Sequence, residues 1–240
     1  WLAFASTREG AGADAKAPSK AQPYVMPSAG GQARRLCTSP NGVSELAWSP
    51  DGRRIAFLAV DGPEPARDPI VVGPSRHRRL WTIATEGDTP EPVSPANVTI
   101  WEYAWSPDGQ HLAVYYSTGP DETHWYRGQV GVVAAGGGAV RQVTHLTRQA
   151  GALAWSPDAQ RIAFVAGEWS DRGLVGGELV VVPAAGGEAR TLTPGIEFSL
   201  SWARWFPDGQ RLLYAGWDGV GAQIGLLDEE DGTRTELATG

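Results

Sequence analysis

One line of sequence returns four times, and that repeat restricts the fold more than any other feature of the chain. Residues 46–57 read Leu-Ala-Trp-Ser-Pro-Asp-Gly-Arg-Arg-Ile-Ala-Phe, with near copies at 103–114, 153–164 and 203–214. Their tryptophans, Trp48, Trp105, Trp155 and Trp205, stand 57, 50 and 50 residues apart. A period of that size marks stacked supersecondary units, each unable to bury its faces without its neighbours.

Within each copy, Ser-Pro-Asp-Gly is a tight turn with a mechanism. Pro fixes φ at the second position, Asp bonds the local backbone at the third, and Gly accepts a positive φ. Two copies depart from the wording. Ala159 replaces Gly in the third, at a cost of about 1 kcal/mol in a left-handed conformation, so a slightly altered turn is expected there. Phe206 replaces Ser in the fourth, which loses a hydroxyl. The flanks read as strands: Ile55, Phe57 and Ala59 alternate with Ala56, Leu58 and Val60, so both faces are apolar, as in a sheet covered on both sides.

A second hairpin follows each first one, most plainly around Gly186-Gly187 and Gly136-Gly137-Gly138, and more weakly around Gly87-Asp88 and Asp231-Gly232. Four strands joined by turns make one propeller blade. The fold class expected is therefore all-β, a β-propeller of four-stranded antiparallel blades at about 1–38, 43–94, 98–145, 150–194 and 199–239. Trp1-Leu2-Ala3-Phe4 aligns with the second strand of the repeat, so the first blade is incomplete. An open arc of about five blades, cropped from a larger ring, follows from that count, and so does self-association through its terminal blades. The absence of an initiator Met points the same way.

Composition excludes several classes. A formal net charge of −7 and a pI near 5.1 leave no electrostatic footprint for nucleic acid or an anionic membrane, although Arg76-His77-Arg78-Arg79 is a local basic cluster. The single Cys37 forms no internal disulfide, which fits a reducing compartment, and a cytoplasmic location is expected. One Cys and four scattered His spell no metal site, and no cofactor is implied. No apolar run reaches the ~18 residues of a membrane span.

The Trp-Ser-Pro-Asp-Gly-x-x-Ile-Ala-Phe line, with Gly-Gly-x-x-x-x-Leu-Thr spacing behind it, resembles TolB-type propeller repeats. It is most similar to those of the N-terminal propeller of the prolyl oligopeptidase family of serine peptidases, which includes acylaminoacyl peptidases and dipeptidyl aminopeptidases. The resemblance implies a propeller that caps a C-terminal α/β-hydrolase domain and restricts substrates to short peptides. The chain itself offers no Gly-x-Ser-x-Gly elbow, and the family's catalytic Ser, Asp and His have no positions here to be carried onto. Gly73-Pro74-Ser75-Arg76-His77 lacks the orienting carboxylate that a triad needs. No catalytic residue is expected in this chain. Asp228-Glu229-Glu230-Asp231 reads as a solvated loop.

Alternating strand direction puts the Ser-Pro-Asp-Gly and Gly-Gly turns on one face. The variable loops, at about 61–79, 117–128, 167–177 and 217–222, lie on the other, where binding residues concentrate. Arg76, Arg78, Trp125, Tyr126, Trp169, Asp171, Arg172 and Trp217 are the candidates for contact with peptide or partner, against the alternative that each aromatic closes the top of its blade. The four repeated tryptophans serve packing. The function expected is a non-catalytic gating and docking propeller of a peptidase acting on short or N-acylated peptides, its partners the hydrolase domain and peptides. The alternative is a stand-alone TolB-type interaction scaffold.

Overall fold

A computed structural model describes residues 1–7, 20–62, 76–87, 89–168 and 170–240. The repeat becomes five antiparallel sheets. The first has three strands, β1 (Leu2–Ser6), β2 (Gln22–Met26) and β3 (Arg34–Arg35), in that order. The second contains β4 (Ser44–Trp48), β5 (Arg54–Val60), β6 (Arg78–Ala84) and β7 (Glu91–Pro92). The third contains β8 (Thr99–Trp105), β9 (His111–Ser117), β10 (Gln129–Ala134) and β11 (Arg141–Gln142), with the single-turn helix α1 (Glu122–Trp125) between β9 and β10. The fourth contains β12 (Gln149–Trp155), β13 (Arg161–Gly167), β14 (Glu178–Pro183) and β15 (Arg190–Thr191). The fifth contains β16 (Ser199–Trp205), β17 (Arg211–Asp218), β18 (Gly221–Asp228) and β19 (Arg234–Thr239). Each strand pairs with the next in sequence, which is the order of propeller blades.

The turn chemistry operates as the residues dictate. In the second blade the Ser49 hydroxyl donates to Asp51 Oδ1 (2.6 Å) and accepts from the Arg54 N–H (2.9 Å), while the Arg53 N–H donates to the same carboxylate oxygen (3.0 Å). Gly52 sits at φ 69°. Ala159 corrects the expectation of an altered turn. It takes φ 58°, and its N–H bonds Ser156 O at 2.9 Å as Gly52 N–H bonds Ser49 O at 2.9 Å. The surrounding bonds hold an L-residue in the left-handed region rather than yielding to it. In the fourth copy the missing hydroxyl is replaced from within the turn, because Asp208 Oδ1 accepts from both Gln210 N–H (2.9 Å) and Arg211 N–H (3.1 Å).

Both faces of the middle blades are buried, as their alternation requires. On β5, Ile55, Phe57 and Ala59 pack with Val25 and Leu36 of the first blade, while Ala56 and Leu58 pack with Ile100, Leu112 and Val114 of the third. The repeated tryptophan links neighbours. Trp105 Nε1 donates to Ala47 O (3.4 Å), Trp155 Nε1 to Ala104 O (3.0 Å) and Trp205 Nε1 to Ala154 O (3.3 Å), each time reaching the residue before the preceding blade's own tryptophan. A second periodic tie runs along the rim. Arg34, Arg141 and Arg190, at one position of the repeat, donate to the second-hairpin turn of the following blade, at Thr85 O, Ala184 and Ala185 O, and Glu229 and Glu230 O.

Within the acidic run at 228–231, Glu230 and Asp231 are exposed as a solvated loop requires, and Glu229 corrects that expectation. Glu229 is mostly buried and pairs with Arg161 (2.7 Å) and Arg190, so it is a joint between the fourth and fifth blades rather than a solvated loop. Among the described residues, the packing runs from each blade to the next and the first and fifth blades do not close on one another, which leaves an open arc.

Candidate functional site

The inner strands β4, β8, β12 and β16 start at the long-loop face, and each carries an irregularity in its first half, where the register with its partner slips. A bulge re-aims side chains. Here it turns Glu45, Glu102, the backbone at Ala152, and Trp202, which hold one position of the repeat, into a shared cleft of about 530 Å³. The start of β6, the end of α1 and the loop after β13 complete the wall with Arg78, Trp125 and Arg172. A larger hollow of about 920 Å³ lies between the fourth and fifth blades on the outer side, where Arg234 stacks over Phe198 at 5.4 Å, and it includes none of those three residues.

Each wall is fixed by identifiable bonds. Trp101, buried on β8, donates its indole N–H to Ser117 Oγ (2.8 Å), and that hydroxyl donates to Gly119 O (2.7 Å), tying the loop after β9 to the cleft. Trp125 packs edge-on against Tyr115 at 6.0 Å, and the Tyr115 hydroxyl donates to Trp125 O (2.6 Å). Burial and loss of solvation push that phenol up to about 12. The loop after β13 is anchored by a close backbone approach. A Cβ at Gly167 would lie 1.8 Å from Gly176 O, and one at Gly177 would lie 2.2 Å from Ala166 O, so only glycine fits at either place. Arg172 projects from that loop.

Charge is concentrated and partly desolvated. Arg78 donates to Ile100 O (3.2 Å) and Trp101 O (2.8 Å) and lies 3.3 Å from Glu45 Oε1. Arg204 donates to Leu153 O (3.3 Å) and Ala203 O (2.9 Å) and stacks over Trp202 at 5.3 Å. Glu102 accepts from the Ala152 N–H (3.0 Å) and the Leu153 N–H (2.7 Å) of the next blade. Its burial raises the carboxyl above its ordinary range against the pull of those two bonds, and burial does the same to Glu45 against Arg78.

The candidates read from sequence divide into groups. Arg78, Trp125 and Arg172 meet in the cleft, with Trp125 as a 2% exposed floor residue rather than a presented one. Tyr126 is exposed and packs edge-on against Trp125 at 5.1 Å, outside the lining. Arg76 donates to Asp61 O (2.8 Å) and Asn41 Oδ1 (3.1 Å), away from the cleft. Asp171 is exposed and forms an isolated bridge with Leu174. Trp217 lies exposed on β17, paired with Ser199 and Ala222. Trp169 lies outside the described residues. Sequence reasoning missed Glu45, Trp101, Glu102, Trp202 and Arg204. The signal was available, since the third position before each repeated tryptophan reads Glu, Glu, Ala and Trp where a purely structural repeat would be uniform.

The lining offers guanidinium, carboxylate and indole groups, which bind and orient ligands. Among the described residues, no group of three or more His, Cys, Asp or Glu is placed to hold a metal ion, and no helix is long and apolar enough to cross a membrane.

Sheets of this construction, stacked around a channel-side cleft, define a β-propeller. Comparison with known proteins agrees. The chain is similar to oligogalacturonate lyase in complex with manganese (TM-score 0.69, 16% identity, 92% of this chain and 60% of that one). It is also similar to the acylaminoacyl peptidase of Pyrococcus horikoshii (TM-score 0.61, 15% identity, 92% of this chain and 36% of that one). Over 54 residues, 22% of this chain and 7% of the relative, it is 48% identical to the uncharacterized peptidase YuxL of Bacillus subtilis. No family model matches the chain. The chain thus spans less than two thirds of each of these proteins, and the resemblance read from its repeats is matched by peptidases among its neighbours.

Proposed function

We propose that this chain is the non-catalytic substrate-gating and docking propeller of a serine peptidase acting on short or N-acylated peptides. The observation that carries the reading is the cleft. It opens at the variable-loop face, draws on four blades, and is lined by groups suited to recognition rather than bond breaking. The repeat wording, the peptidase in Bacillus subtilis that is 48% identical over 54 residues and the acylaminoacyl peptidase that shares the fold support the same reading. The partner it implies is a C-terminal α/β-hydrolase domain, whose active site faces the cleft, in a cytoplasmic protein. The arc admits short peptides and turns folded proteins away by size.

The test is to express the chain with its native flanking coding sequence and treat it with a fluorophosphonate probe and peptides of increasing length. Labelling of a downstream serine, with turnover that falls steeply with peptide length, supports the reading. No labelling and no turnover would leave the stand-alone TolB-type scaffold. That second reading is favoured by one observation, the exposed apolar face of the fifth blade at Trp217 and Ile224, through which terminal blades would associate.

A further inference from the structure

We propose that the cleft binds the free carboxylate end of a short peptide, held by the guanidinium groups of Arg78 and Arg172 beside Trp101, with an apolar side chain of the peptide against Trp202. The inference rests on the reading of this cleft as the peptide-facing site. Three arginines and two glutamates line it, so cationic groups are in excess. The excess is greatest at Trp101. Arg78 Cζ lies 5.7 Å and Arg172 Cζ 5.8 Å from the centroid of that one ring, which puts the two guanidinium groups no more than about 11.5 Å apart, the sum of those distances. The charge of Arg172 acts against that of Arg78, and an anion placed between them offsets this repulsion.

The resident anions fill that role in part. Glu45 pairs with Arg78 at 3.3 Å and also lies within the field of Arg172, and Glu102 is already committed to two backbone N–H groups. The ion pair that Arg172 does make is with Glu122, at 3.8 Å, beyond hydrogen-bonding distance and with a carboxylate two-thirds exposed. Arg172 is half exposed, on a loop whose position is fixed by the Gly167 and Gly177 approach. It therefore presents a planar fork with donors to spare, the group that takes a carboxylate bidentately. Arg78 supplies the second charge from a fixed base.

Two features select a monoanion with apolar neighbours. Glu45 and Glu102 stand in the same cleft and repel a dianion such as phosphate more than a carboxylate. The indole of Trp202, 36% exposed, offers apolar surface in the same cleft, and about 530 Å³ accommodates a few residues rather than a protein segment. An N-acylated peptide has no ammonium group to offer, whereas its carboxylate remains.

The test needs no attached hydrolase, so its outcome is separable from that of the probe experiment above. Ala-Ala-Phe and its C-terminal amide are titrated into the chain by calorimetry, with inorganic phosphate as a third ligand. The free acid is expected to bind at least ~10-fold more tightly than the amide, the order of one charge-assisted pair. Arg172→Gln should lower the acid to the level of the amide, and Arg172→Lys should restore part of the difference, with thermal unfolding unchanged in both. Equal binding of acid and amide, no binding of either, a difference that survives Arg172→Gln, or phosphate binding as tightly as the acid would each overturn the assignment.

Discussion

At the scale of single residues, the turns are where the chain stores both strain and charge. Ala159 occupies a left-handed conformation that its three counterparts reach as glycines, Gly52, Gly109 and Gly209. Ala159→Gly should therefore raise stability slightly, by about 0.5 kcal/mol at most, the left-handed penalty less the entropy that glycine loses on folding. Gly52→Val should lower it by about 1–3 kcal/mol, and urea denaturation of both variants checks the pair. The turn aspartates contribute to the response to acid. A serine hydroxyl, first, and then a backbone N–H hold the carboxyls of Asp51 and Asp108 below the usual range, and Asp158 is held there in the same way. A carboxyl lowered on folding stabilises fully above its unfolded value of about 3.9, and that contribution is lost as pH falls through the lower folded value. Asp108→Asn should make the loss of stability between pH ~5 and ~2 shallower, as read from urea midpoints across that range.

Among the elements, blade-to-blade ties outrank most surface features. Trp155 is 9% exposed and its indole reaches Ala104 O. Trp155→Phe leaves that carbonyl without its donor and thins the interface, so a loss of about 1–3 kcal/mol is expected. Trp217→Phe, on an exposed position, should stay within about 0.5 kcal/mol. Equal effects in thermal unfolding would refute the distinction between the repeated and the scattered tryptophans. The crossing of β13 with the segment before β14 is as demanding. Gly167→Ala places a methyl where Gly176 O now lies, and should cost about 1–3 kcal/mol while displacing the loop that carries Arg172. Calorimetry should then register weaker discrimination between peptide acid and amide.

For the whole molecule, the outward face of the fifth blade is the conspicuous exception to two-sided burial. Leu179 and Ile224 hold the same place on the ladders of successive blades, Leu179 opposite Val165 and Ile224 opposite Ala215. Leu179 is 0% exposed and Ile224 is 43% exposed, because the fourth blade is covered by the fifth and the fifth is bare on that side. Bare apolar sheet faces associate. Light scattering of this chain should rise with concentration in the micromolar range, and Ile224→Lys should reduce the effect. A monodisperse particle at every concentration would remove the expectation of self-association.

Repeat period, turn chemistry and strand alternation were enough to read the blades, their order and the missing inner strand, because each of these is set by neighbours close in sequence. The loop face and three of its residues, Arg78, Trp125 and Arg172, were legible for the same reason. Which of those loops meet was not. The cleft is assembled from residues as distant as Glu45 and Arg204, brought together by stacking of sheets and aimed by bulges whose register slips are decided by packing between strands. Trp125 reads the same in sequence whether it faces a ligand or a tyrosine, and only the position of Tyr115 turns it inward. Glu229 reads as solvated until the fourth blade brings Arg161 and Arg190 against it. Local chemistry fixes what each blade is, while contacts between blades decide which side chains share a site, since those contacts depend on distances no linear spacing records.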